Sequence, residues 1–174
     1  MQIKSLLCAA AMAGMAVAAQ ADDVMMNVAL VPNASVPGSS SAGVGVTHLT
    51  AGSFTDTLNF TGASGGLVSG SLVTIGFIDS NDIDFTSVTL NGQAFTLRGA
   101  DGLDLATLQT ANITGPLVLT VSGIAGPGLA DGTAIAASYA GTLNVSAVPE
   151  AQTSAMLLAG MGVLLMLGRR RMGA

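Results

Sequence analysis

The 174-residue sequence has no tryptophan, one tyrosine, one histidine and one cysteine. Cys8 lies close to the N-terminus, so the rest of the chain has no thiol for a disulfide, a sulfur-bound metal or a cysteine nucleophile. Lysine occurs only at position 4 and glutamate only at position 150. Because so few residues could act as a base, an acid or a nucleophile, we expect a protein that is not an enzyme.

Positive charge is also scarce between the two ends of the chain. All ten acidic residues lie between positions 22 and 150, where Arg98 is the only Lys or Arg, so this region carries a formal charge of −9. Such a surface repels phosphate backbones and attracts cations, which excludes nucleic acid as a partner.

The first 21 residues have the pattern of a secretory signal peptide. Lys4 precedes an apolar run over residues 6–18, and Ala19-Gln20-Ala21 has the small-x-small form that signal peptidase cleaves. The apolar run has about 13 residues, which is short of the ~20 that cross a bilayer as a helix. We therefore predict export, with residue 22 as the first residue of the mature protein.

Residues 22–147 read as a β-rich extracellular domain. Short β-type runs alternate with Gly, Pro, Asn, Asp and Ser, which favours an all-β, antiparallel sandwich or a jelly-roll-like fold. Asn91-Gly92 predicts a two-residue hairpin turn, with Leu90 opposite Gln93, Val88 opposite Phe95 and Thr86 opposite Leu97. Similar alternation places one apolar face on residues 117–121 and another on residues 139–147.

Three segments of the body are harder to interpret. Residues 32–45 are rich in Ser, Gly, Pro and Asn and predict a loop or flexible linker. Residues 67–78 fit either one long strand or two shorter ones. Residues 102–110 predict one short helical turn within an otherwise β-rich region.

The C-terminal segment, residues 148–174, differs in composition from the body. It starts with Val148-Pro149-Glu150, continues with an uncharged apolar run over residues 151–168, and then carries three consecutive arginines. Eighteen residues extend about 27 Å as a helix, close to the ~30 Å of a hydrocarbon core. Arginines at the end of such a helix stay in the cytoplasm, so we predict a transmembrane helix with the body outside.

This layout resembles the PEP-CTERM domain, the sorting signal of bacterial exosortase substrates. The resemblance depends on the short motif, on the apolar helix, and on the cluster Arg169, Arg170 and Arg171. It departs from the family pattern at Ala151, where the family usually has a second proline. A plain single-pass membrane anchor in the periplasm is the alternative, and it would share every feature except Pro149-Glu150.

The resemblance implies a Gram-negative bacterium that makes extracellular polysaccharide. It also implies two processing enzymes, signal peptidase and exosortase, and an inner-membrane intermediate held by residues 151–168. The released protein would then reach the cell surface or the extracellular matrix of a biofilm.

One motif inside the body belongs to the same resemblance. Phe54, Asp56 and Leu58 alternate with threonines, so Asp56 interrupts an apolar strand face. This resembles the F-x-D-x-F motif that names one group of PEP-CTERM proteins, with Leu58 in place of the second Phe. Because an isolated buried charge is costly, we expect Asp56 to accept hydrogen bonds from backbone N–H groups of a neighbouring strand or loop. A cation site at Asp56 is the alternative.

An acidic turn is a second candidate site. Its side chains carry carboxylate and amide oxygens, the ligands that Ca²⁺ prefers. The residues are Asp79, Asn81, Asp82 and Asp84. The spacing and distal Glu of an EF-hand loop are absent, so a plain acidic turn between strands is the alternative. Asp101 and Asp104, in another predicted loop, are weaker candidates.

Two isolated residues fit catalytic patterns poorly. Ser64 lies in a G-x-S-x-G match, but the residues after it read as a strand where a nucleophile elbow requires a helix. His48, the single histidine, lies beside the predicted loop and has no patterned partner. We expect neither to be catalytic and no cofactor to be bound, with Ca²⁺ as the exception to be considered.

These observations favour a non-enzymatic surface or matrix protein sorted by exosortase. The alternatives are a polysaccharide- or calcium-binding module on the same scaffold and a secreted hydrolase, which would require paired carboxylates that converge in a cleft. With no Trp and one Tyr, however, the chain has few of the flat aromatic faces on which sugars stack.

Overall fold

The computed structural model describes residues 21–100, 102–147 and 156–161. The predicted signal-peptide residue Ala19, the sorting motif Val148-Pro149-Glu150 and the arginines at 169–171 lie outside these residues.

The described residues up to position 147 form eleven strands and one short 3₁₀ turn. The strands are β1 (Met25–Ala29), β2 (Val31–Pro32), β3 (Ser39–Thr50), β4 (Gly52–Thr61), β5 (Gly65–Ile75), β6 (Ile83–Leu90), β7 (Gln93–Ala94), β8 (Thr96–Ala100), β9 (Leu103–Thr114), β10 (Leu117–Ala125) and β11 (Ala134–Ser146). The 3₁₀ turn, Asp79–Asn81, lies between β5 and β6. This composition confirms the all-β prediction.

The strands are arranged in two sheets. Sheet A has the order β1-β4-β10-β6-β7, and sheet B has the order β2-β3-β11-β5-β9-β8. The pairs are antiparallel except for β1 and β4, which run parallel. Several neighbours in a sheet are far apart in sequence, so the fold depends on long-range pairing.

A single apolar core lies between the sheets. Strand alternation directs every second side chain inward, and the inward positions carry mostly Leu, Val, Ile, Phe and Ala. Core residues from sheet A include Leu58, Val88, Leu90, Leu117, Leu119 and Val121. Core residues from sheet B include Val68, Leu72, Ala106, Tyr139, Leu143 and Val145. The predicted apolar faces on residues 117–121 and 139–147 therefore form opposite walls of this core, except that Ala147 is exposed after the end of β11.

The predicted hairpin turn is confirmed. Asn91 and Gly92 have φ values of 48° and 80°, as a type I′ turn requires. Leu90 pairs with Gln93, and the N–H of Phe95 donates to the carbonyl of Val88 at 2.9 Å. The Asn91 side chain also joins this turn to β10, because its Oδ1 accepts from the Val118 N–H at 2.8 Å.

The second half of that hairpin is not formed, so the predicted pair of Thr86 and Leu97 is wrong. After Phe95 the chain crosses to sheet B, where β8 pairs with β9 and Leu97 lies opposite Ala106. Phe95 is buried at the crossing point. The two-residue turn determines only the residue pairs next to it. The residues after Phe95 pair instead with β9, a longer strand of sheet B.

Two of the predicted irregular segments are strands. The predicted loop over residues 32–45 extends only to Gly38, because β3 starts at Ser39. There Ala42 faces the core while serines and glycines alternate outward, and β11 supplies the hydrogen bonds. The predicted helical turn at 102–110 is part of β9, which pairs with β5 and β8. Residues 67–75 belong to one strand, β5.

A short helical segment, residues 156–161, is described after the body. Its residues are exposed. Among the described residues no helix has both the length and the hydropathy needed to cross a bilayer. Most of the predicted span, residues 151–168, lies outside them.

Candidate functional site

The motif carboxylate Asp56 lies in the middle of β4 and is fully buried. Its Oδ1 accepts a hydrogen bond from the backbone N–H of Val24 at 2.8 Å. Its Oδ2 accepts one from the Tyr139 hydroxyl at 2.7 Å and lies 3.1 Å from His48 Nε2. We call these four groups the Asp56 network. The expectation that Asp56 bonds to backbone N–H of a neighbouring segment is confirmed by the Val24 contact.

The Asp56 network connects the two sheets. Asp56 belongs to sheet A, whereas His48 and Tyr139 lie on β3 and β11, two neighbouring strands of sheet B. All three side chains are buried, with exposed fractions of 0%, 1% and 1% respectively. His48 is therefore not beside a loop, as the sequence suggested, but near the end of a core strand. One carboxylate on sheet A thus meets polar groups from two strands of sheet B and from the N-terminal segment.

Aromatic rings enclose the network. The Phe54 ring stacks on His48 with centroids 4.1 Å apart and an interplanar angle of 29°. The Phe85 ring meets Tyr139 edge to face, with centroids 5.7 Å apart. These rings exclude water from the polar groups, which strengthens each hydrogen bond and makes the loss of any one of them costly.

The chemistry of the network follows from its burial. Desolvation raises the pKa of Tyr139 far above its ordinary value of 10.0, and its hydrogen bond to Asp56 raises it further. The tyrosine therefore stays protonated and acts only as a donor. Both carboxylate oxygens have donors, which leaves Asp56 little capacity to bind a cation, so the geometry favours the structural role over the cation site.

The N-terminal segment completes this arrangement. Asp23 Oδ1 accepts from the Thr55 N–H at 2.7 Å, and the Val24 carbonyl accepts from the Thr57 N–H at 2.8 Å. Ala21, at the predicted signal-peptidase site, is itself buried at 3% exposure. The residues that directly follow the predicted cleavage site are thus tied to the motif strand.

The sequence placed Phe54, Asp56 and Leu58 on one strand face, and the structure confirms it, since all three are buried. It did not identify His48 and Tyr139 as the partners of Asp56. A partial signal was present, because Asp56 and Tyr139 each interrupt an otherwise apolar strand face. Pairing them requires knowledge of which strands face each other across the core.

A second feature, the acidic cleft, lies at one end of the body. It is a cavity of about 610 Å³ lined by the carboxylates of Asp79, Asp82, Asp84 and Asp104 and by the loop residues Phe77 and Ile78. Phe77 and Ile78 are 81% and 62% exposed. The structure therefore brings three of the predicted calcium ligands together with Asp104, from the weaker candidate pair.

The carboxylates of the acidic cleft affect one another. Desolvation raises the pKa of Asp82, a hydrogen bond from the Ile83 N–H opposes this, and the negative charges of Asp84, Asp104 and Asp79 raise it further. The pKa of Asp84 is raised by desolvation and by the charge of Asp104. Desolvation is the largest cause in both cases, and the like charges of neighbouring aspartates act in the same direction.

The geometry of the cleft gives little support to a calcium site. Within the described ranges, no group of three Asp, Glu, His or Cys side chains is placed to hold one metal ion. Asn81, the fourth predicted ligand, accepts through Oδ1 from the Ile78 N–H at 3.3 Å. The Asp104 carboxylate accepts from the Phe85 N–H at 3.0 Å. Calcium binding stays a prediction from the sequence.

Ser64 does not have the surroundings of a nucleophile. It lies in the turn between β4 and β5, and a strand follows it. His48 is in the core, where its Nε2 contacts Asp56.

Comparisons with known proteins add one finding. No protein-family model and no curated protein matches this chain. Among solved structures, it is similar to PliG of Aeromonas hydrophila, a periplasmic inhibitor of g-type lysozyme. The identity is 16%, the alignment covers 72% of this chain and 98% of that chain, and the TM-score is 0.32.

Proposed function

We propose that this chain is an exported, non-enzymatic structural protein of the bacterial cell surface or extracellular matrix. In this proposal residues 1–21 direct export, residues 22–147 form the functional body, and residues 148–174 are a sorting signal that exosortase removes. The observation that carries the proposal is the order of three features at the C-terminus: Val148-Pro149-Glu150, an uncharged run of 18 residues, and three arginines.

The end of the body supports a removable tail. The N–H of Ala147 donates to the carbonyl of Gly38 at 2.7 Å, and this bond follows directly after the last residue of β11, Ser146. Among the described residues, the buried apolar core extends from Ala21 to Val145. A cut at the sorting motif would therefore leave both sheets and this core intact.

The burial of the polar side chains His48 and Asp56 favours a structural role for the body. His48, the single histidine, is enclosed in the core, and Asp56 is fully hydrogen-bonded there. Of the residues that line the acidic cleft, none is a Lys, Arg or His, which suits a solvated acidic surface. The burial of His48 and Asp56 favours a scaffold, and a hydrolase would have to use the carboxylates of the cleft.

Mass spectrometry of the protein recovered from membranes and from medium tests this proposal, since it reports both termini of the chain. We expect a form that starts at residue 22 and ends near Pro149, in the surface or medium fraction. Full-length C-termini confined to the membrane fraction would instead identify a plain single-pass anchor and overturn the sorting proposal.

A pair of variants separates sorting from anchoring. Glu150→Ala removes the charge that we expect to keep the cleavage segment at the outer interface, and it should leave the tail uncut. Ala151→Pro restores the usual second proline of the family and should be cleaved at least as well as the natural sequence. Normal processing of Glu150→Ala would count against the proposed role of the motif.

The binding-module alternative has its own test. A pull-down on the organism's extracellular polysaccharide, with and without a chelator, measures sugar binding and its dependence on calcium. Under our proposal neither condition retains more protein than a matched neutral resin.

A further inference from the structure

Strand β3 has one open edge. It pairs with β11 from Ser39 to His48 and again at Thr50, with a register shift on the β11 side between Ala134 and Ala137. On its other side β2 pairs only with Ser40 and Ser41. Within the described residues, no strand pairs with the outer edge of β3 from residue 43 to residue 49.

The alternation of an antiparallel strand shows which backbone groups face that edge. On the β2 side, the Ser39 carbonyl accepts from the Asn33 N–H at 2.9 Å. On the β11 side, the Gly38 carbonyl accepts from the Ala147 N–H at 2.7 Å. Odd-numbered residues therefore point their N–H and C=O groups outward, and these are Gly43, Gly45, Thr47 and Leu49.

This edge lacks the devices that usually prevent strands from pairing. In natural proteins, edge strands avoid pairing with other chains because they carry charged side chains, prolines or bulges, or because they are short. Residues 43–49 contain no proline and no ionisable group except His48, which is buried. By contrast, β2 has two residues and contains Pro32, β8 carries Arg98, and β7 has two residues. Strand β1 has five residues, and Asp22 and Asp23 precede it, separated from it by Val24.

We propose that β3 pairs with the β3 strand of a second copy of this chain, antiparallel and about a two-fold axis near Thr47. Gly45 then lies opposite Leu49 of the other copy. The outward N–H and C=O groups of each strand form hydrogen bonds with those of its partner. This pairing forms about six backbone hydrogen bonds and joins two B sheets into one continuous sheet.

Two observations select a second copy as the occupant. Leu49 is 65% exposed, and in this register it covers a glycine, so the edge is complementary to itself in shape. Residues 22–147 carry nine aspartates and one arginine, a formal charge of −8, which disfavours contact between copies over most of the body's surface, but residues 43–49 carry no carboxylate. The interface is independent of the C-terminal tail and does not rest on the sorting proposal.

Cysteine cross-linking in the full chain tests the pairing. In a Cys8→Ala background, Thr47→Cys places two thiols across the proposed axis, where hydrogen-bonded residues have Cα atoms about 5.5 Å apart and a disulfide can form. Thr142→Cys is the matched control, since it is exposed on β11, which has a strand partner on each side. Under mild oxidation we expect a covalent dimer from Thr47→Cys and none from Thr142→Cys.

A blocking variant completes the test. Leu49→Lys puts a charge on the edge at an exposed position and should reduce the cross-linked fraction of Thr47→Cys about tenfold. A thiol reagent must label both cysteines in the reduced proteins, which shows that each is accessible. A monomeric Thr47→Cys, equal cross-linking at positions 47 and 142, or no effect of Leu49→Lys would each overturn the proposal. Sedimentation of the natural sequence and of Leu49→Lys alone gives a second measurement, with a smaller species expected for Leu49→Lys.

Discussion

Asp56 and the aspartates of the acidic cleft are the same chemical group in opposite surroundings. Asp56 is fully buried and accepts hydrogen bonds from Val24 and Tyr139, with His48 beside it. The carboxylates of the acidic cleft are partly exposed and face one another. Asp56 meets polar partners from two elements besides its own strand, whereas each cleft carboxylate has other carboxylates near it. We therefore expect Asp56 to stabilise the fold and the charges of the cleft to oppose it.

The comparison also shows where the stability of the body is concentrated. The Asp56 network joins the N-terminal segment, sheet A and sheet B at one point, and its removal would affect all three. The acidic cleft lies at one end, around the loop that follows β5, and its charges repel each other. We expect substitutions at the two places to have effects of opposite sign.

The largest effect is expected from Asp56→Ala. It leaves the Tyr139 hydroxyl, the Val24 N–H and the His48 ring buried without their acceptor, which should lower the free energy of unfolding by about 3–5 kcal/mol. Urea unfolding followed by circular dichroism measures this change. Asp131→Ala, at an exposed turn, is the matched control and should change the free energy of unfolding by less than about 0.5 kcal/mol.

Tyr139→Phe sharpens the comparison because it removes one donor and keeps the ring. The loss of its hydrogen bond to Asp56 should cost about 1.5–3 kcal/mol, the range for bonds to a charged group. Combining it with Asp56→Asn in a double-mutant cycle measures the coupling between the two residues. Strictly additive effects would show that the hydrogen bond contributes nothing.

Asp23→Ala tests the exposed part of the same arrangement. Its carboxylate accepts from the Thr55 N–H at 2.7 Å, but it is exposed to water, so we expect a loss of about 0.5–1 kcal/mol. Hydrogen exchange should also become faster at Thr55 and in β1. Asp22→Ala provides the control one residue earlier, and an equal effect there would mean that general charge, and not this bond, is responsible.

The smallest effect, and the one of opposite sign, is expected in the acidic cleft. Because the pKa of Asp82 and that of Asp84 are raised in the folded protein, ionisation of each disfavours folding at neutral pH. Asp82→Asn and Asp84→Asn should each raise the free energy of unfolding by about 0.5 kcal/mol at pH 7. The gain should disappear as the pH falls below the ordinary value of 3.8, where the unfolded chain is also protonated. Urea unfolding at pH 7 and at pH 3 measures both parts.

Local patterns in the sequence predicted the faces of several strands correctly. Alternation identified the buried side of β4 through Phe54 and Leu58, and Asn91-Gly92 identified the turn between β6 and β7. These features depend on neighbouring residues only. The all-β class follows from the same alternation repeated along the body.

Features that depend on distant residues were not predictable in the same way. Residues 39–45 look like a loop because serine and glycine dominate, but β11 supplies partners along the whole segment. The crossing of the chain to sheet B after Phe95 depends on β9, and the partners of Asp56 depend on which strands oppose β4. The predicted turn at 102–110 failed for the same reason, since β5 and β8 hold it extended.

The measurement that tests the central claim most directly is urea unfolding of Asp56→Asn beside Asp84→Asn at neutral pH. The substitution is the same, and only the surroundings of the carboxylate differ. We expect Asp56→Asn to lower the free energy of unfolding by about 2–4 kcal/mol and Asp84→Asn to leave it unchanged or slightly higher. Equal changes of the same sign in the two variants would contradict the account of Asp56 as the group that ties the sheets together.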